Sequence, residues 1–124
     1  MRPRLLLVIF LALLPAPAFA FSISVSWEGT TACFDPQSPV IRLSDVPKGT
    51  ATIAFHMADL NVPTYPHGGG TVAYTGQGTL AKGAFSYKGP CPPAPHRYQW
   101  TARARDASGK MLGRAETTLT FPPK

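Results

Sequence analysis

The sequence has no segment with the three-to-four-residue spacing of apolar side chains that marks an amphipathic helix. It also has no internal repeat, no low-complexity stretch and, after the first 20 residues, no apolar run long enough to cross a membrane. These absences argue against a helical bundle, a repeat array and a membrane-spanning domain. The chain instead has 14 prolines and 11 glycines between short alternating runs. This pattern predicts an all-β sandwich with little or no helix.

The first 20 residues have the features of a secretory signal peptide. A basic start is followed by an unbroken apolar run over residues 5–14, and residues 18–20 form a small-x-small cleavage site. A retained membrane anchor is the alternative, but the run is short for a bilayer and two prolines follow it. We therefore predict cleavage after Ala20, which leaves residues 21–124 as one domain in the periplasm or outside the cell.

The predicted mature domain is moderately basic. Cleavage removes two of the 12 basic residues and leaves ten against six acidic ones. The basic residues are scattered without a run, whereas nucleic-acid binding usually needs a clustered patch. We therefore predict no nucleic-acid partner, and a cationic surface facing anionic lipid or metabolites is at least as reasonable.

Two cysteines, Cys33 and Cys91, remain after cleavage, 58 positions apart. An exported chain meets an oxidising compartment, so an even number of cysteines favours a disulfide. The alternative is a pair of free, buried thiols.

Alternation of apolar and polar residues locates the strands. It predicts strands over residues 21–27, 40–43, 50–57, 71–75, 84–87, 96–105 and 111–121, with the last one broken near Gly113. The alternation is sharpest over residues 96–105. There His96, Tyr98, Trp100, Ala102 and Ala104 share one face, and Arg97, Gln99, Thr101, Arg103 and Arg105 share the other.

Three polar residues are candidates for chemistry, and each has a plainer explanation. Asp59 ends a strand, where functional side chains are often displayed, but Asp also commonly makes a turn hydrogen bond to its own backbone. His67 precedes three glycines that allow close approach to a ligand, or it is incidental in a flexible loop. His96 lies on the apolar face of its strand, where a lone histidine is usually a core residue.

Several catalytic signatures are missing from the sequence. No histidine pair has metal-ligand spacing, no serine lies in a nucleophile-elbow sequence, and no glycine-rich phosphate loop precedes a helix. No nucleophile and base can be paired either. We therefore predict no metal, no cofactor and no enzymatic activity.

Four blocks of the sequence follow one another in a recognisable order. Residues 38–50 are similar to S-P-x-L-x-W…V-P-x-G-T, and residues 59–63 are similar to D-P-D-x-P. His67 before a strand is similar to the histidine of H-W-x-V-x-N, and residues 89–98 are similar to G-P-x-P-P…H-R-Y. Together these blocks resemble the phosphatidylethanolamine-binding protein (PEBP) family, in its bacterial Raf-kinase-inhibitor-like branch.

The resemblance implies a β-sandwich with a small anion pocket near one end. The ligand it implies is a small anion such as phosphate or a phospholipid head group. Histidines donate hydrogen bonds to such groups, more strongly when protonated, and a nearby Asp can orient a histidine. Both cysteine positions are often cysteine in bacterial members, which adds to the case for the disulfide. The family's pocket positions correspond to Asp59, His67, Gly89, Pro90, His96 and Tyr98.

The sequence also departs from the family pattern. Leu60 and Asn61 replace a proline and an aspartate, Gly68 replaces a tryptophan, and the connection over residues 72–87 is short. These changes predict a less rigid loop, a missing aromatic wall, and a pocket that is either more open or lost. The alternative function is a protein-interaction or protease-inhibitor module that uses the proline-rich loop 89–95. A sandwich without any pocket is a further alternative.

Overall fold

The computed structural model describes residues 7–12 and 20–123, and this part of the chain forms seven strands and no helix. A helix able to span a membrane is accordingly not found among these residues. The basic start and most of the cleavage site of the predicted signal peptide lie outside them. The strands are β1 (Ser22–Ser26), β2 (Val40–Ser44), β3 (Thr52–Asp59), β4 (Gly69–Ala73), β5 (Thr79–Leu80), β6 (His96–Arg105) and β7 (Met111–Phe121).

The strands form two antiparallel sheets. One has three strands in the order β1-β2-β5, and the other has four strands in the order β4-β3-β6-β7. Apolar side chains of both sheets meet in one core, which confirms the predicted all-β sandwich. Its buried members include Ile23, Ile41, Ile53, Phe55, Met57, Tyr98 and Trp100.

Strand β6 has the two faces that its alternation predicts. Tyr98, Trp100, Ala102 and Ala104 are buried in the core. The arginines of the opposite face are half-buried or exposed, while Thr101 of that face is buried. Side chains alternate between the two faces of a strand, so the mainly buried face is readable from the sequence alone.

The predicted strand over residues 84–87 is wrong. Its backbone makes one isolated bridge, between Ser86 and Gln37. The strand that forms in this part of the chain is instead the two-residue β5, which precedes the predicted one. Phe85 and Tyr87 do alternate into the core, which explains the prediction. Their partner segment contains two prolines, and proline has no N–H to donate to a ladder.

The predicted break near Gly113 is also wrong, because β7 runs without interruption. The irregularity is a bulge: Ala104 pairs with Gly113 and Arg105 pairs with Met111, so Leu112 has no partner. A Cβ at position 113 would lie 2.8 Å from the Pro47 ring. Glycine is therefore required here for close packing.

Strand β3 continues two residues beyond its predicted end. It pairs antiparallel with β6, and in this register Asp59 lies opposite Tyr98. The end of β3 and the beginning of β6 thus meet at one end of the four-stranded sheet. This meeting point positions the candidate site.

Candidate functional site

A recess of about 120 Å³ lies where β3 ends and β6 begins. Four of the six predicted pocket residues line it, namely Asp59, His67, His96 and Tyr98. Gly89 and Pro90 do not. The full lining is Phe34, Asp59, Val62, Tyr65, His67, Cys91, Pro92, Pro93, His96 and Tyr98.

The Asp59 carboxylate is divided between two tasks. One oxygen accepts hydrogen bonds from the backbone N–H groups of Asn61 and Val62, at 2.8 and 3.2 Å, which is the turn role. The other oxygen is 2.7 Å from Nδ1 of His96. The turn hydrogen bonds expected for Asp59 are therefore present, and the same carboxylate also contacts His96. Burial raises the pKa of Asp59, but the hydrogen bonds from His96 and the two amides outweigh it and hold the pKa below its usual value.

His67 is buried, and its backbone surroundings fix its orientation. Its Nδ1 lies 2.6 Å from the carbonyl oxygen of Lys88. A carbonyl only accepts hydrogen bonds, so Nδ1 carries the proton and Nε2 is left for other partners. By the same logic, the ionised Asp59 accepts the Nδ1 proton of His96. Both histidines therefore have Nε2 available in the same way.

Tyr98 lies between the two histidines. Its ring centroid is 5.5 Å from that of His67 and 6.4 Å from that of His96. Burial and the neighbouring Asp59 carboxylate raise the pKa of Tyr98, so its hydroxyl stays protonated at neutral pH. The recess thus combines two oriented imidazoles with a neutral phenol.

Gly89 and Pro90 belong to the packing behind the recess. Pro90 is fully buried, and a Cβ at position 89 would lie 2.5 Å from the carbonyl oxygen of Asp35. The next residue, Cys91, lines the recess and is bonded to Cys33. The predicted disulfide is therefore present, and it ties the proline loop to the segment that carries Asp35.

Sequence reasoning missed the aromatic side of the recess. Phe34 and Tyr65 line it, and their rings stack with centroids 6.1 Å apart. They supply an aromatic wall although Gly68 stands in place of the family's tryptophan. The available signals were the position of Phe34 beside a cysteine and that of Tyr65 two residues before His67.

Asn61 has a structural role in the loop that follows β3. Its side-chain oxygen accepts a hydrogen bond of 2.9 Å from the backbone N–H of Arg97. This contact joins the loop after β3 to the beginning of β6. Asn61 thus bridges the two elements that build the recess.

The Asp35 carboxylate organises the segment that carries Cys33 and Phe34. It accepts hydrogen bonds from the backbone N–H groups of Thr31 and Gln37, at 3.1 and 3.0 Å. The ammonium of Lys82 lies 3.0 Å away. The two backbone hydrogen bonds, aided by Lys82 and opposed by burial, lower the pKa of Asp35 to about 2.

We predict an acid-sensitive contribution to stability from Asp35. Its folded-state pKa lies below the value of about 3.9 expected for an unfolded Asp, so the carboxylate stabilises the fold fully above about pH 5. This contribution is lost as the pH falls from about 4 towards the folded-state pKa of about 2. Asp35→Asn should lower the free energy of unfolding at pH 7 by about 1–3 kcal/mol. Urea unfolding between pH 7 and pH 2 measures both effects.

The control for this prediction is Asp45→Asn, the same substitution at an exposed position. It should change the free energy of unfolding at pH 7 by less than about 0.5 kcal/mol. Equal stability of Asp35→Asn and the wild type at pH 7 would contradict the role given to Asp35.

No protein-family model and no curated protein matches the chain. Solved structures do match it. The PEBP homologue CT736 from Chlamydia trachomatis superposes with a TM-score of 0.63 and 20% identity, over 85% of this chain and 99% of that chain. YbcL from E. coli, described as a new member of the mammalian PEBP family, superposes with a TM-score of 0.62 and 18% identity, over 86% of this chain and all (100%) of that chain.

The fold and the recess define an antiparallel β-sandwich with a histidine-containing recess at one end. The superpositions identify this sandwich as the fold of the PEBP family. They confirm the fold that the four sequence blocks imply. At these identities, the likeness establishes the fold, and the chemistry of the recess must be argued from its own residues.

Proposed function

We propose that this chain is an exported binding protein, without enzymatic activity, that holds a small anion in the recess. The observation that carries the proposal is the matched arrangement of the two histidines. Asp59 occupies Nδ1 of His96 and the Lys88 carbonyl occupies Nδ1 of His67, at 2.7 and 2.6 Å. Each ring therefore has only Nε2 with which to bind a ligand.

An anion in this recess couples to protonation of the histidines. A neutral imidazole whose Nδ1 carries the proton offers only an acceptor at Nε2, which repels an anion. Protonation converts Nε2 into a charged donor, and charge-assisted hydrogen bonds are roughly twice as strong as neutral ones. Anion binding should therefore favour the protonated form of each ring.

The ligand class that fits this arrangement is phosphate or a phosphorylated head group. Such groups present several acceptor oxygens, and two histidines that line the same recess can each donate to one of them. Export is supported by the Cys33–Cys91 disulfide, which persists in oxidising compartments. The alternative function uses the proline-rich loop 89–95 as an interaction site. In this loop, Gly89 and Pro90 are buried and residues 93–95 are exposed.

We expect isothermal titration with inorganic phosphate and with phosphoethanolamine to show binding that depends on His96. His96→Ala removes a charge-assisted donor worth about 1.5–3 kcal/mol, so affinity should fall about tenfold to a hundredfold. Repeating the titration in buffers of different ionisation enthalpy measures the proton uptake.

The matched control is His56→Ala. His56 is exposed on β3, and its side chain does not line the recess. This variant should bind as the wild type does. Equal heats for His96→Ala and the wild type would contradict the proposed function.

A further inference from the structure

The aromatic wall of the recess extends outwards from the histidines to the rim. The Tyr65 ring lies 4.7 Å from the His67 ring, and the Phe34 ring stacks on Tyr65 with only 15° between the planes. Both rings line the recess. A continuous aromatic surface therefore extends from the His67 ring, over Tyr65, to the exposed Phe34.

Phe34 is held at the rim against the usual preferences of its backbone and side chain. Its φ is 54°, in the left-handed region that bulky residues rarely adopt. The residue is also 43% exposed to solvent. Its neighbours fix this position, because Cys33 is bonded to Cys91 and Asp35 accepts hydrogen bonds from two backbone amides. Backbone strain that the surroundings enforce is concentrated at functional sites.

Lys88 adds a positive charge to this wall. Its Nζ lies 5.2 Å from the Phe34 ring centroid and 5.0 Å from the Tyr65 ring centroid, within range of cation–π attraction. The same residue's carbonyl orients His67. The wall therefore has an ammonium against its rings, and this ammonium lies on a residue that also fixes one of the proposed anion-binding histidines.

The size of the recess requires a ligand larger than an inorganic anion to extend onto the rim. Its volume of about 120 Å³ is well below the roughly 300–1,000 Å³ of pockets that enclose a whole organic ligand. Val62, Pro92 and Pro93 add apolar side chains to the lining. The chemistry of the rim thus decides which substituents are tolerated.

We propose that Phe34 and Tyr65, with Lys88, form a subsite that selects anions carrying an aromatic substituent. The ligand class is an aryl monoester of phosphate, whose oxygens meet the histidines while its ring stacks on the exposed Phe34. This inference rests on the proposed function for the anion itself. It adds the chemical nature of the part of the ligand that extends beyond the recess.

The test compares the affinities of the full chain for three probes: inorganic phosphate, phenyl phosphate and phosphoethanolamine. Aromatic stacking should make phenyl phosphate bind about fivefold to tenfold more tightly than the other two. Phe34→Ala should abolish this preference, so that phenyl phosphate binds no more tightly than inorganic phosphate. Phe34→Tyr should retain the preference, because it keeps the ring.

Met111→Ala is the matched control. Met111 is also an exposed apolar residue, 49% accessible, and it lies at the beginning of β7, outside the recess lining. This variant should keep the wild-type preference. Thermal unfolding of each variant establishes that it is folded before its affinities are compared.

The outcomes separate this inference from the proposed function. Phosphate bound as tightly as phenyl phosphate by the wild type overturns the aromatic subsite alone. A preference that survives in Phe34→Ala also overturns it. Absence of binding for all three probes overturns the anion site and the subsite together. If Phe34→Ala fails to fold, the wild-type affinities and Phe34→Tyr still decide the question.

Discussion

Removal of the Cys33–Cys91 disulfide is expected to lower the free energy of unfolding by about 4 kcal/mol. The bond closes a loop of 58 residues, and its loss allows the unfolded chain many more conformations. Domains of this size are stable by only about 5–15 kcal/mol in total. The disulfide therefore supplies a large share of the stability of this fold.

Urea unfolding of the oxidised wild type and of the double variant Cys33→Ser with Cys91→Ser measures this effect. The wild type in a reducing agent should resemble the double variant, and the double variant should not respond to the reducing agent. A loss of less than about 1 kcal/mol would show that the unfolded chain is already constrained in this region. Phosphate affinity should fall as well, because Cys91 lines the recess.

Gly89→Ala is expected to destabilise the fold by about 1–3 kcal/mol, the range for overpacking a closed site. The new Cβ would lie 2.5 Å from the carbonyl oxygen of Asp35 and 2.7 Å from its nitrogen. Backbone atoms do not turn aside as a flexible side chain does, so the loop has to shift. Because Cys91 and Pro92 follow directly and line the recess, anion affinity should fall together with stability.

Gly78→Ala is the control for this experiment. A Cβ at position 78 meets no atom within 4 Å, so this variant should remain within about 0.5 kcal/mol of the wild type. Thermal unfolding and phosphate titration of both variants measure the two effects. Unchanged stability of Gly89→Ala would mean that the loop does not pack against residue 35 as described.

These two predictions locate the role of the proline loop. In the sequence, Gly89, Pro90 and His96 look like one continuous ligand-binding element. In the structure, Gly89 packs against the Asp35 backbone and Pro90 is buried, while His96 lies at the recess and is hydrogen-bonded to Asp59. The motif therefore combines an anchoring part with a part that lines the recess.

Local patterning determined most of the strands. The residues of β6 and β3 bury one face each, and a period of two residues is visible without knowledge of any partner. The wrong strand prediction over residues 84–87 arises from the partner segment and not from the local pattern. A strand also needs a partner with free N–H groups, and the segment paired there contains Pro36 and Pro39.

The amino-acid sequence by itself determined the all-β class, the two cysteines available for a disulfide and the polar residues from which a site can be built. Only the tertiary structure decided which of them meet. Asp59 and His96 are 37 positions apart and are joined by the register of β3 on β6. Phe34, Tyr65 and Lys88 come from three separate loops. Contacts between loops depend on long-range packing, and no local pattern of residues records them.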